Sequence, residues 1–159
     1  MYARRFLLSM LVAVGILAVS YSSAFAQGSP LFAVLNGGNE VTTGPPALAR
    51  VGDPDGFGSA TITFSPSTVA NSTTLCFAIL AVNIVTPASA AHIHRGTSGI
   101  NGVAVVTLAP PIGTPGRVTN CTTTVLTTLA NEIRAFPDRF YVNVHNAAFP
   151  AGAVRGQLF

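Results

Sequence analysis

The stretch Tyr141-Val142-Asn143-Val144-His145 decides how this chain folds. Apolar and polar residues alternate through it, the period of a β-strand with one face turned to a core. Val142 and Val144 share one face, while Tyr141, Asn143 and His145 share the other. With the valines facing inward, Asn143 and His145 face outward. The same period puts His92 and His94 on one face of a second strand, one pleat apart. The histidines are then expected on an outer surface or cleft, not in the core.

Further strands are predicted at Leu31–Leu35, Gly58–Phe64, Thr74–Val85, Ala90–His94, Val103–Leu108, Arg139–His145 and Ala153–Leu158. Turn-forming clusters separate them: Asn36-Gly37-Gly38-Asn39, Thr43-Gly44-Pro45-Pro46, Gly52-Asp53-Pro54-Asp55-Gly56 and Pro110–Gly116. Short strands with such punctuation indicate an all-β sandwich or barrel. One segment departs from the pattern. Across Val125–Phe136, Leu126, Leu129, Ala130 and Ile133 recur at helical spacing, and Pro137 ends the run. The expected architecture is an antiparallel Greek-key β-sandwich or barrel with one short helix, in one domain without internal repeats.

Composition narrows the chemistry. Of 159 residues, 49% are hydrophobic and only 8% charged, which excludes a disordered chain. The five acids, Glu40, Asp53, Asp55, Glu132 and Asp138, are too few and scattered to suggest a paired-carboxylate hydrolase. The absence of Lys excludes Schiff-base and P-loop chemistry.

At the N-terminus, Arg4 and Arg5 precede the apolar run Phe6–Val19, and Ala24-Phe25-Ala26 follows. A positive start, a short apolar centre and an A-x-A site describe a secretory signal peptide over residues 1–26. The domain then occupies residues 27–159, in an exported protein, periplasmic or extracellular. After leader removal, six scattered Arg face five acids, leaving no basic footprint for nucleic acid or a membrane surface. Export also changes how Cys76 and Cys121, the only two cysteines, are read. An even pair in an oxidising compartment implies a disulfide; the alternative is a metal thiolate in a copper site.

All three histidines fall in two short motifs, His92-Ile93-His94 and Asn143-Val144-His145. An H-x-H on a strand puts two imidazoles on one face, about 6–7 Å apart at Cα. Both can converge on one ion, with His145 from a neighbouring strand as third ligand and one coordination position left open. Imidazole suits copper, zinc, iron and nickel, and copper heads the affinity order. The plainer alternative is three ordinary strand histidines bonded locally. Asn143 is a candidate to hydrogen-bond a ligand ring, and Arg155 to form a surface ion pair.

Three segments together resemble the CHRD domain, named after chordin. They are Ala91-His92-Ile93-His94-Arg95-Gly96; Gly99-Ile100-Asn101-Gly102 with Val103–Leu108; and Phe140–His145 running on through Phe149–Leu158. Leu35–Val41, Pro45-Pro46 and Gly58–Phe64 resemble the opening of that domain, so the likeness covers nearly all of the mature chain. It implies an extracellular module. Chordin itself binds bone morphogenetic proteins, a partner that does not carry over to a lone module. A more local likeness runs to copper/zinc superoxide dismutase, so the expected fold is superoxide-dismutase-like or immunoglobulin-like. Ala91–Gly96 looks like the dismutase copper-ligand pair, and Ala151–Arg155 like its loop bearing the substrate-guiding Arg. That likeness implies His92, His94 and His145 as copper ligands, with Arg155 near the open position. The chain departs from it in having no further histidine for a fourth copper ligand or a zinc bridge.

Three functions follow as expectations. The first is an exported metal-binding protein with a mononuclear copper site, zinc being the alternative metal, in metal handling or limited redox chemistry. The second is a non-catalytic module that binds a protein or matrix partner. The third is a superoxide dismutase-like enzyme. Asp53-Pro54-Asp55-Gly56 lacks the later acidic ligand of a calcium loop and reads as a turn. Asn71-Ser72-Thr73 and Asn120-Cys121-Thr122 match glycosylation acceptors.

Overall fold

The computed structural model describes residues 28–41 and 52–159. The signal peptide and the Thr43–Pro46 turn expected from the sequence lie outside the described residues. The described chain forms eight strands: β1 (Leu31–Asn36), β2 (Phe57–Pro66), β3 (Ser72–Val82), β4 (Ala88–Arg95), β5 (Val103–Leu108), β6 (Gly116–Leu126), β7 (Phe140–Asn146) and β8 (Val154–Gln157). One helix, α1 (Thr127–Ala135), follows β6 directly. The strands join in a single antiparallel sheet ordered β5-β4-β7-β8-β1-β2-β3-β6.

Of the two architectures expected, this is the barrel. The sheet curls so that β5 and β6, at its two ends, approach without pairing. A groove of about 320 Å³ marks that seam, lined by Val105, Thr107, Thr122, Thr124 and Leu129. Successive strands β4, β5 and β6 lie side by side with β3 beyond β6, a Greek-key arrangement.

Alternation builds the core. β1 buries Leu31, Ala33 and Leu35 and exposes the residues between them. β2 adds Ala60, Ile62 and Phe64, and β3 adds Leu75, Phe77, Ile79 and Ala81. Ile93, Val142, Val144 and Val154 complete it from the other side. Burying side chains of this size stabilises by about 1.5–3 kcal/mol each. The α1 helix turns Ala130 and Ile133 inward and plugs one end of the barrel.

Strand β6 is the element that the sequence reading omits. Its sequence Gly116-Arg117-Val118-Thr119-Asn120-Cys121-Thr122-Thr123-Thr124-Val125-Leu126 is polar for most of its length, and its pattern buries only Gly116 and Val125. Pairing with β3 rather than burial holds it. Cys76 and Cys121 are cross-strand partners in that pairing and form a disulfide, with Cα atoms 4.0 Å apart. The pairing shifts register between Thr73 and Leu75, accommodating one extra residue. The predicted helix begins two residues late, because Val125 and Leu126 finish β6 first.

Candidate metal centre

The outer faces of β4, β7 and β8 form a small grid. Register sets His92 opposite Asn143 and His94 opposite Tyr141. On the other side of β7, Asn143 faces Arg155 and Tyr141 faces Gln157. His145 continues the outward face of β7 beyond Asn143. Asn143 therefore neighbours all three histidines: it is cross-strand to His92, diagonal to His94 and two residues before His145.

The three rings converge. Their centroids are 5.2 Å (His92–His145), 5.5 Å (His92–His94) and 6.1 Å (His94–His145) apart. One ligand nitrogen from each lies within 4.8 Å of the others. Three nitrogens bound tetrahedrally at about 2.0–2.1 Å stand about 3.4 Å apart. His92 Nδ1 and His145 Nε2 are already at 3.2 Å, within the span that such binding requires.

Backbone carbonyls orient two of the rings. His94 Nδ1 donates to the Gly102 carbonyl at 2.9 Å, and His145 Nδ1 donates to the Pro150 carbonyl at 3.2 Å. Each bond places the proton on Nδ1 and leaves the Nε2 lone pair free, as a metal ligand requires. His94 Nε2 is buried and has no hydrogen-bond partner. An orphaned buried nitrogen is costly without an ion or a donor to meet it. His92 Nδ1 donates to His145 Nε2, and an ion held by both nitrogens would take the place of that proton. Burial holds all three imidazoles below their ordinary pKa; the neighbouring His92 lowers His94 and His145 further. These shifts favour the neutral imidazoles, the form that a metal ligand requires.

Above this grid lies the loop Gly96–Gly102. Arg155, 2% exposed, holds it down. Its Nη2 donates to the carbonyls of Thr97 at 3.2 Å and Ile100 at 2.7 Å, and its Nη1 to Asn101 Oδ1 at 3.2 Å. Tyr141 Oη accepts from the Gly102 amide at 3.1 Å, and Gln157 donates to the Gly96 carbonyl at 2.8 Å. Gly102 has no room for a side chain: a Cβ there would collide with the Arg95 carbonyl. The His94 ring stacks on Tyr141 with centroids 4.8 Å apart. Arg155 is not a surface residue, and three of its N–H donors bond the loop that carries the His94 acceptor.

Beside Arg155 sits Glu40, which the sequence reading did not single out. Its carboxylate accepts from Asn143 Nδ2 at 3.5 Å, a long bond, and packs where a Cβ on Gly52 or Gly152 would stand. Burial raises its pKa to about 7 against the opposing pull of Arg155 and Asn143. Its one legible signal was scarcity, as one of five acids in the chain. Tyr141 was visible on the outward face of β7, but its role beneath the loop required the register.

An antiparallel eight-stranded barrel that carries three convergent histidines on its outer face defines an all-β module with a candidate metal centre. This chain belongs to the CHRD domain family, whose model matches residues 31–158. No curated protein and no solved structure matches the chain, copper/zinc superoxide dismutases included.

Proposed function

We propose that this is an exported CHRD-domain protein that binds a single transition-metal ion, copper by preference, through His92, His94 and His145. The observation that carries the reading is the buried, unpartnered Nε2 of His94 within a cluster whose ligand nitrogens span 4.8 Å. Three imidazoles with one open position suit copper first and zinc second. Two carbonyl-fixed tautomers supply the supporting bonds that such ligands usually have. The leader and the Cys76–Cys121 disulfide support export to the periplasm or the extracellular space. The role is metal handling or limited redox chemistry. Arg155, held by the loop, weighs against the anion guidance that a dismutase would need.

The test is metal analysis of the natively purified protein together with a copper titration. One equivalent per chain is expected, with affinity at least about 100-fold weaker in His94→Ala and His145→Ala. A folded protein that ignores copper and zinc overturns the reading.

A second reading, a non-catalytic module for a protein or matrix partner, is favoured by one feature. Phe32, Val34 and Phe159 are 44%, 67% and 64% exposed at the outward face of β1, and the two rings lie 6.2 Å apart. A metal-free native protein whose stability is unchanged by copper would put this reading first.

A further inference from the structure

Among the described residues, three buried side-chain polar atoms have no hydrogen-bond partner: Glu40 Oε1, His94 Nε2 and Asn143 Oδ1. The metal reading accounts for the His94 nitrogen and leaves Asn143 Oδ1 unexplained. Asn143 is 3% exposed, and register makes it the neighbour of all three histidines. Its amide orientation is not arbitrary. Nδ2 donates to Glu40 Oε2; with Glu40 ionised, the reversed amide would set oxygen against carboxylate oxygen. Glu40 thereby engages Nδ2 and leaves Oδ1 a free acceptor on the residue that register sets beside the histidines.

We propose that Asn143 Oδ1 accepts a hydrogen bond from the ligand at the open position of the three-histidine site. The site then selects a ligand bearing an O–H or N–H, water above all, over a bare anion. This rests on the metal-binding reading. Two further observations support it. The Arg155 guanidinium directs three hydrogen bonds at Thr97, Ile100 and Asn101 and none at the histidines. An amide oxygen beside the cluster attracts an N–H or O–H donor and repels a bare anion. A buried acceptor left unpaired is unfavourable, so a donor-bearing ligand gains there what an anion cannot.

The experiment uses the copper-loaded full mature chain, with azide as the donor-less probe and its charge-transfer absorption as readout. Asn143→Leu removes the acceptor, and azide affinity should rise about 5–10-fold, the equivalent of one net hydrogen bond. Asn143→Asp keeps an acceptor and adds charge, and azide affinity should fall. A purely structural role for Asn143 would move both variants in the same direction. Unchanged azide affinity in both variants, or shifts of the same sign, with copper still bound, overturns this proposal and leaves the metal site standing. Wild-type protein that takes up no copper overturns both. If Asn143→Leu does not fold, Asn143→Asp decides alone: azide affinity equal to wild type overturns the proposal.

Discussion

The guanidinium carbon of Arg155 lies 3.3 Å from the centroid of the Tyr141 ring. A cation this close to an aromatic face, with 2% of the residue exposed, joins β8 to β7 and at the same time anchors the loop above both. Tyr141 in turn supports the His94 ring and bonds the Gly102 amide. Arg155, Tyr141, Gly102 and His94 therefore act as one unit, in which a charged residue away from the candidate metal sets the angle of a ligand.

Arg155→Met should break that unit. Three hydrogen bonds to the Gly96–Gly102 loop disappear, and their acceptors lose a charged donor. We expect a loss of about 2–4 kcal/mol in denaturant unfolding and weaker copper binding, because the Gly102 carbonyl no longer fixes His94. Arg155→Lys should not restore either property, since one ammonium cannot reach the separated acceptors that the planar fork spans. Wild-type stability in Arg155→Met would refute this role.

Glu40→Gln tests the buried carboxyl. The Glu40 pKa is raised from 4.5 to about 7 by burial, so the folded state holds its proton more tightly than the unfolded chain. Glu40 therefore favours folding below pH 4.5, and that contribution is lost as pH rises through 7. Gln mimics the protonated acid. The variant should match wild type near pH 5 and gain about 1 kcal/mol by pH 8, a figure reduced for solvent reach and for the lost attraction to Arg155. Thermal melts at the two pH values decide it; a gain of equal size at both would show that titration is not the cause.

Acid should release the metal and weaken the fold together. The three histidines have pKa values lowered by burial, so the unfolded chain binds more protons than the folded one as pH falls below the ordinary 6.5. Their contribution to stability is full above 6.5 and is lost as pH drops through the lowered folded values. Copper affinity, which needs neutral imidazoles, should decline over the same window. His92→Gln, His94→Gln and His145→Gln combined should flatten that part of the stability profile. A profile unchanged by the triple substitution would contradict the assignment.

Replacing Cys76 and Cys121 by Ala together should separate fold from site. The bridge closes a sequence span of 45 residues, for which chain entropy gives about 4 kcal/mol, a model-dependent figure. The bond lies in the β3–β6 half of the barrel, while the histidines lie on β4 and β7. Folded double variant should bind copper as wild type does, at a lower melting temperature. A large fall in affinity would mean that the two halves are coupled.

The legible and illegible parts of this chain divide along physical lines. Strand β7 was readable because Val142 and Val144 alternate with Tyr141, Asn143 and His145, and burial on one face imposes that period. Strand β6 was not, because Thr119, Thr123 and Thr124 look outward and no apolar period marks the run. Its reason for being extended is the partner strand, which lies far off in sequence. The three histidines were legible as a set because the chain has no others. Glu40 and the Arg155 clasp were not, since their meaning arises only when the Gly37–Val41 and Gly96–Gly102 segments fold over the outer faces of β7 and β8.

His92 and His145 touch across 53 positions of sequence, with β5, β6 and α1 strung between them. The ligand set does not exist in the unfolded chain, nor in a nascent chain that has not yet released β7. An ion that needs all three rings could therefore be held only after β4 has paired with β7.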